Sequence, residues 1–269
     1  MMYAFPPGGL PPLTEDPAAA GARFTESYAF IPAGTMRDIT ASLLPGWREA
    51  RAWIIARPLT GFAETFAQYA VEIAPGGGSD TPEPDAGAEA GLFVAEGAGI
   101  LTLEGAEHAL EPGTYIYIPP GRSWSLRASS TLKLHWIRKR WQPAAGLTPP
   151  DPIMTSDAAT PVSWMPGTET WGTTRFADPA DLRHDMHVNI VTFTAGGRIP
   201  FAETHVMEHG LYVLEGQADY LLNRDWITVG PGDFMWLRAF CPQACIARGE
   251  GNFRYLLYKD VNRHVALTL

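Results

Sequence analysis

Glu203, His205 and His209 fall within seven residues of one another in E-T-H-V-M-E-H, and Gln243 follows later in C-P-Q. A carboxylate, two imidazoles and an amide oxygen can converge on one divalent cation. Such a mixed nitrogen and oxygen set suits Mn²⁺, Fe²⁺ or another borderline-to-hard ion better than a thiolate-preferring one. Four protein donors leave open positions on a six-coordinate ion for water or substrate. An ion held in this way can orient a substrate and lower the pKa of a bound water.

Strands must bring these donors together. Residues two apart in a strand face the same way, so Glu203 and His205 share a face, and a bend returns His209 to it. Short apolar runs rich in Val, Ile, Tyr and Trp, bounded by Gly and Pro, fill both halves of the chain: GLFVAEG, ILTLEG and TYIYIPPG, then GLYVLEG, DWITVGPGDFMWL and RYLLYKD. They read as β-strands, and long amphipathic helical patterns are scarce. The Ala-rich stretch 17–22 has room for a helical turn or two.

The chain also repeats itself. Glu96-Gly97 recurs as Glu215-Gly216, and Pro112-Gly113 as Pro231-Gly232, both 119 residues later. In each copy an apolar strand ends in E-G, a hairpin follows, then P-G, then an aromatic-rich strand, with the glycines suited to tight turns. The same offset places Pro84, Ala86, Ala90 and Trp124 opposite Glu203, His205, His209 and Gln243. None of the four is an ordinary side-chain ligand, so the first copy is expected to be metal-free and structural. The expected organisation is an N-terminal arm over 1–45, a first barrel over 46–145, a Pro-rich linker over 146–165 and a metal-binding barrel over 166–269.

At 269 residues and 46% apolar, the chain can bury a substantial core, and a net charge of −9 disfavours nucleic-acid or anionic-membrane partners. Two cysteines, Cys241 and Cys245, are too few for a disulfide framework and suggest a reducing cytoplasm. The start MMYAFPPGGLPP lacks the features of a signal peptide, and no stretch approaches a membrane span.

The E-G and P-G spacing with an upstream histidine motif resembles the cupin superfamily. Two copies imply a bicupin, an all-β chain of two tandem antiparallel jelly-roll barrels. The stretches E-T-H-V-M-E-H-G-L-Y-V-L-E-G-Q, P-Q at 242–243 and R-Y-L-L-Y-K-D-V-N-R at 254–263 look more closely like the (S)-ureidoglycine aminohydrolase family. The resemblance is specific over roughly 185–264 and looser in the first half. It implies release of ammonia from (S)-ureidoglycine to give (S)-ureidoglycolate in purine (allantoin) degradation, with one Mn²⁺ in the C-terminal barrel. Glu203, His205, His209 and Gln243 match the family's metal-ligand positions, and Tyr220, Tyr255 and Lys259 match substrate-binding ones. In that chemistry Glu203 is the candidate base and Lys259 the partner of the substrate carboxylate. Tyr255 and Lys259, four apart in one strand, would share a face beside the ion. The resemblance further implies a homo-oligomer acting on a small molecule. Two other readings stay open: a metal-dependent cupin oxygenase or isomerase of a small organic acid, and a non-enzymatic ligand-binding bicupin.

Several residues carry plain expectations. Glu83, Asp85, Glu89 and Glu208 read as solvated charges, and His108 and His135 as unremarkable. Cys241 and Cys245 share the parity of Gln243 and read as apolar filler. His187 and Asn189 either face the pocket or belong to an ordinary half-buried strand. Tyr220 is the weakest of the substrate-binding candidates on its residues alone.

Overall fold

The structure is a computed structural model that describes residues 21–33, 42–59 and 61–264. Most of the expected N-terminal arm, including the Ala-rich residues up to 20, lies outside the described residues. Those described hold no helix and twenty strands. The first eleven are β1 (Arg23–Phe24), β2 (Tyr28–Ile31), β3 (Trp47–Ala56), β4 (Ala67–Ser79), β5 (Ala88–Glu96), β6 (Gly99–Leu103), β7 (Ala106–Leu110), β8 (Thr114–Ile118), β9 (Trp124–Ala128), β10 (Leu132–Arg140) and β11 (Ile153–Ser156). The remainder are β12 (Val162–Trp164), β13 (Trp171–Arg175), β14 (Met186–Phe193), β15 (His209–Glu215), β16 (Gln217–Leu222), β17 (Asp225–Val229), β18 (Phe234–Leu237), β19 (Gln243–Arg248) and β20 (Phe253–Asp260). The all-β bicupin expectation holds.

Every ladder among them is antiparallel. One sheet runs β11-β8-β5-β10-β4-β9-β6-β7, with β3 on β4; a second runs β1-β2-β18-β15-β20-β14-β13-β12; a third runs β17-β16-β19. The first makes one barrel and the other two make the second. The stretch read as a linker carries β11 and β12, which extend the sheets of the first and second barrels respectively. The described part of the N-terminal arm divides between the barrels: β2 pairs with β18 of the second, while Ser42 bridges to Ala52 of β3 in the first.

Alternation along each strand separates two interiors from a shared seam. Val71, Leu92, Leu134 and Trp136 fill the first barrel, and Leu211, Val213, Tyr255 and Phe253 fill the second. Between them Phe93, Tyr115 and Ile137 pack against Val188, Ile190, Trp236 and Tyr258. The seam is tight: Phe66 stacks on Tyr258 with centroids 4.0 Å apart, and a Cβ on Gly210 would lie 2.5 Å from the Phe66 ring.

Polar groups also cross the seam, and here two expectations fail. Glu208 is buried, not solvent-facing. It accepts from the backbone N–H of Glu64 at 2.7 Å and of Thr65 at 2.9 Å, and from the Trp236 indole. Glu89 sits fully buried on β5, where Tyr117 donates to it at 2.6 Å. Glu83 and Asp85 are paired rather than free, with Arg138 and Arg140. A charge pattern read along one strand cannot reveal that a second barrel will cover it.

Candidate metal centre

Glu203 lies on the loop leading to β15, and an isolated antiparallel bridge fixes it against the start of β19. Glu203 N–H donates to Gln243 O, and Gln243 N–H to Glu203 O, each at 2.9 Å. Gln243 is therefore brought to Glu203 by a backbone pairing. His205 follows on the same loop, with its Nε2 3.3 Å from Glu203 Oε1. Its carbonyl accepts the Phe240 N–H at 2.6 Å, and Phe240 holds a left-handed φ of 68° to make that contact. His209 opens β15, its ring centroid 5.0 Å from that of His205.

The interior supports the donors from below. Tyr220 on β16 is fully buried and donates to Gln243 Oε1 at 2.8 Å, and its hydroxyl lies 3.4 Å from that of Tyr255. Gln243 Nε2 in turn lies 3.5 Å from Glu203 Oε1. The contacts thus run without a break from Tyr255 through Tyr220, Gln243, Glu203 and His205 to His209. Tyr220, the weakest candidate by sequence, holds the centre of this chain. Its hydroxyl reaches Gln243 only because β16 pairs with β19, which no local pattern announces.

Lys259, half-buried on β20, is the register partner of His209 on β15 and of His187 on β14. Burial, and then Arg175, pulls its pKa below the ordinary lysine value. Burial, with His205 and Lys259 nearby, pushes the His209 imidazolium down to about 3, so this ring is neutral over the physiological range. Neutral imidazole is the form that binds metal.

The test of fit is the state of these atoms. His209 Nε2 is buried and has no hydrogen-bond partner. Among the described residues no three His, Cys, Asp or Glu side chains stand close enough together to hold an ion by themselves. Closing the set takes Gln243 as a donor, and takes the half-buried Glu203 and His205 moving toward His209. The donor types and the orphaned nitrogen fit a borderline-to-hard divalent ion. The thiols of Cys241 and Cys245 are buried in the apolar interior, and burial pushes Cys241 up to about 11. They are filler, not ligands.

The positions offset by 119 residues lie in the first barrel. Pro84, Ala86, Ala90 and Trp124 together line one small pocket at its mouth. A larger cavity of about 560 Å³ lies away from the donor set, in the cleft between the barrels. His135, read as unremarkable, forms part of its wall, buried against Tyr212 with ring centroids 4.1 Å apart.

The Cupin domain family matches this chain twice, over residues 69–138 and 189–258. An (S)-ureidoglycine aminohydrolase of Escherichia coli (strain K12) is 30% identical over 238 residues, covering 87% of this chain and 89% of that one. One of Arabidopsis thaliana is 32% identical over 224 residues, covering 83% and 73%. Among solved structures, a Pseudomonas aeruginosa protein described as glyoxylate-induced is 59% identical and superposes with a TM-score of 0.91, covering 100% of this chain and 99% of that one.

Proposed function

The chain belongs to the (S)-ureidoglycine aminohydrolase family of cupin-domain proteins, and we propose that it releases ammonia from (S)-ureidoglycine, leaves (S)-ureidoglycolate, and serves purine (allantoin) degradation with one Mn²⁺ in its second barrel. The observation that carries this reading is the unbroken set of contacts from Tyr255 to His209 beside the half-buried Lys259.

Glu203, His205, His209 and Gln243 would hold the ion. When bound, it supplies a Lewis acid that orients the substrate and acidifies a water. The side chains do the rest. Lys259 supplies a positive charge that is only half hydrated, so it pairs strongly with the substrate carboxylate. Tyr255 lies on the same inward face of β20 and donates its hydroxyl toward the substrate. Together they present one face of the stereocentre to the ion. Glu203 accepts a proton from the attacking water and returns one to the departing nitrogen. The carbon–nitrogen bond to the amine breaks, a carbon–oxygen bond forms, and the sum is one water consumed and one ammonia released. Tyr220 keeps Gln243 aimed.

In this reading the first barrel carries no ion, because Pro84, Ala86, Ala90 and Trp124 hold the equivalent positions. Two buried free cysteines fit a reducing cytoplasm. Exposed large apolar side chains, among them Phe24 and Trp226, fit a homo-oligomer, which a sedimentation measurement checks.

The test is ammonia release from (S)-ureidoglycine by manganese-loaded protein, corrected for spontaneous decomposition, with metal analysis of the same sample. Activity should vanish on chelation and in His205→Ala. A manganese-replete sample with no rate above the uncatalysed one would overturn the reading.

A further inference from the structure

The inward face of β14 begins with two polar residues, His187 and Asn189, before continuing as Val191 and Phe193 in the apolar interior. Lys259 is the register partner of His187 on one side and of His209 on the other. Paired residues project to the same face, so the three form one lateral row across β14, β20 and β15. Neighbouring strands stand ~4.8 Å apart, which puts His187 roughly 10 Å from His209, less the curvature of the barrel. A small amino-acid-sized molecule spans that gap.

His187 is only 6% exposed, and its Nε2 has no hydrogen-bond partner. The mechanism above does not use it. A buried imidazole nitrogen left alone is unfavourable unless something completes it, and His187 shares its inward face with Lys259, its register partner. Burial, and then the charge of Lys259, pushes His187 down to about 4, so it stands neutral with one donor and one acceptor. The row therefore offers a metal-side imidazole at one end, a cation in the middle and an uncharged hydrogen-bonding ring at the far end. Lys259 already answers the carboxylate. A ureido group is flat, uncharged, and carries both N–H donors and a carbonyl acceptor, the complement of a neutral imidazole.

We infer that His187 is a specificity-determining residue of this site, the group that reads the ureido arm of the substrate. The inference rests on the hydrolase reading above. Asn189, next along the same face, extends the polar surface that the arm would meet.

The experiment compares two inhibitors of the manganese-loaded protein. (S)-Ureidoglycolate carries a carboxylate, a hydroxyl and the ureido group; glycolate carries the first two alone. In His187→Leu the inhibition constant for ureidoglycolate should rise about tenfold, the scale of one lost buried hydrogen bond, while that for glycolate and the bound manganese stay unchanged. His187→Gln, which restores an amide donor and acceptor, should keep the ratio of the two constants within about threefold of the parent protein. This second variant also guards against a misfolded leucine variant. Equal changes for both inhibitors, or no change for either, at full manganese content would overturn the inference while the hydrolase reading stands. Parent protein that neither turns over ureidoglycine nor binds ureidoglycolate would overturn the hydrolase reading first, and the role of His187 with it.

Discussion

Glu203 and Gln243 face each other through two backbone hydrogen bonds of 2.9 Å, so a carboxylate from the loop and a carboxamide from β19 are held in register by main chain alone. Their side chains can then be changed without disturbing that pairing. Glu203→Gln is expected to melt close to the parent protein in chelator, because the bridge is made by main chain. Manganese at a hundredfold its dissociation constant should stabilise the parent by about 2.7 kcal/mol and the variant by far less. Thermal melts with and without manganese, beside the ammonia assay, check this. A variant with a full manganese response would remove Glu203 from the ligand set.

Tyr220→Phe tests the support beneath the site. The hydroxyl donates to Gln243 Oε1 at 2.8 Å in a fully buried setting. Losing such a partner costs about 1–3 kcal/mol of stability. Loss of a group that orients a ligand typically weakens metal binding by ~10–100-fold. Metal titration of the variant should show that weakening with unchanged stoichiometry. Unchanged affinity would mean that Gln243 is oriented by its backbone alone.

Four buried histidines, His135, His184, His187 and His209, lower stability in acid, and in each burial is the chief cause of a depressed pKa. His135 and His187 are held down to about 4 and His209 to about 3, each chiefly by burial, against an ordinary 6.5. The unfolded chain takes up these protons below pH 6.5 while the folded chain does not. Stability is therefore complete above that value and falls as pH drops toward 4. His135 is the clean test, since it lies in the cleft wall and not in the proposed site. A shift of this size corresponds to roughly 3 kcal/mol over the window. His135→Phe should keep its contact with Tyr212 and lose less stability between pH 7 and pH 4.5 than the parent does. Parallel stability curves for the two proteins would sink this assignment.

What could be read from the chain, and what could not, divides along physical lines. The 119-residue repeat was legible because E-G and P-G mark turns whose geometry needs glycine. Glu203, His205 and His209 were legible because they sit within one local motif. Tyr220 was not, since its contact with Gln243 depends on which strands become neighbours. Glu208 and Glu89 were misread for a related reason. Each stands where the other barrel covers it, and burial across a seam between two folded units leaves no periodic trace along either strand. The placement of β2 on the second barrel, far from its neighbours in sequence, is equally non-local.

Glu208 is the residue where that seam can be tested. It follows the His205 loop directly and precedes His209, yet its carboxylate turns to the seam, where it gathers the N–H groups of Glu64 and Thr65 from the first barrel and the indole of Trp236 from the second. Its own N–H donates to Asp260 at 2.7 Å, one residue beyond Lys259. Side chain and backbone of Glu208 thus tie the loop of Glu203 and His205, the end of β20 and the neighbouring barrel to one point. Glu208→Ala leaves four donors without their acceptor, the N–H groups of Glu64 and Thr65, the Thr65 hydroxyl and the buried Trp236 indole, at about 1–3 kcal/mol for a buried one, so a loss above ~3 kcal/mol is expected even after relaxation. Glu208→Gln keeps one oxygen for these donors but turns an amide toward the others, and should recover part of the loss. Hydrogen exchange at Glu64 and Thr65 should accelerate in both variants, and metal affinity should fall in step with it because His209 is the next residue. An alanine variant with parent-like exchange and parent-like manganese binding would show that packing of Phe66 on Tyr258 is enough to hold the two barrels together.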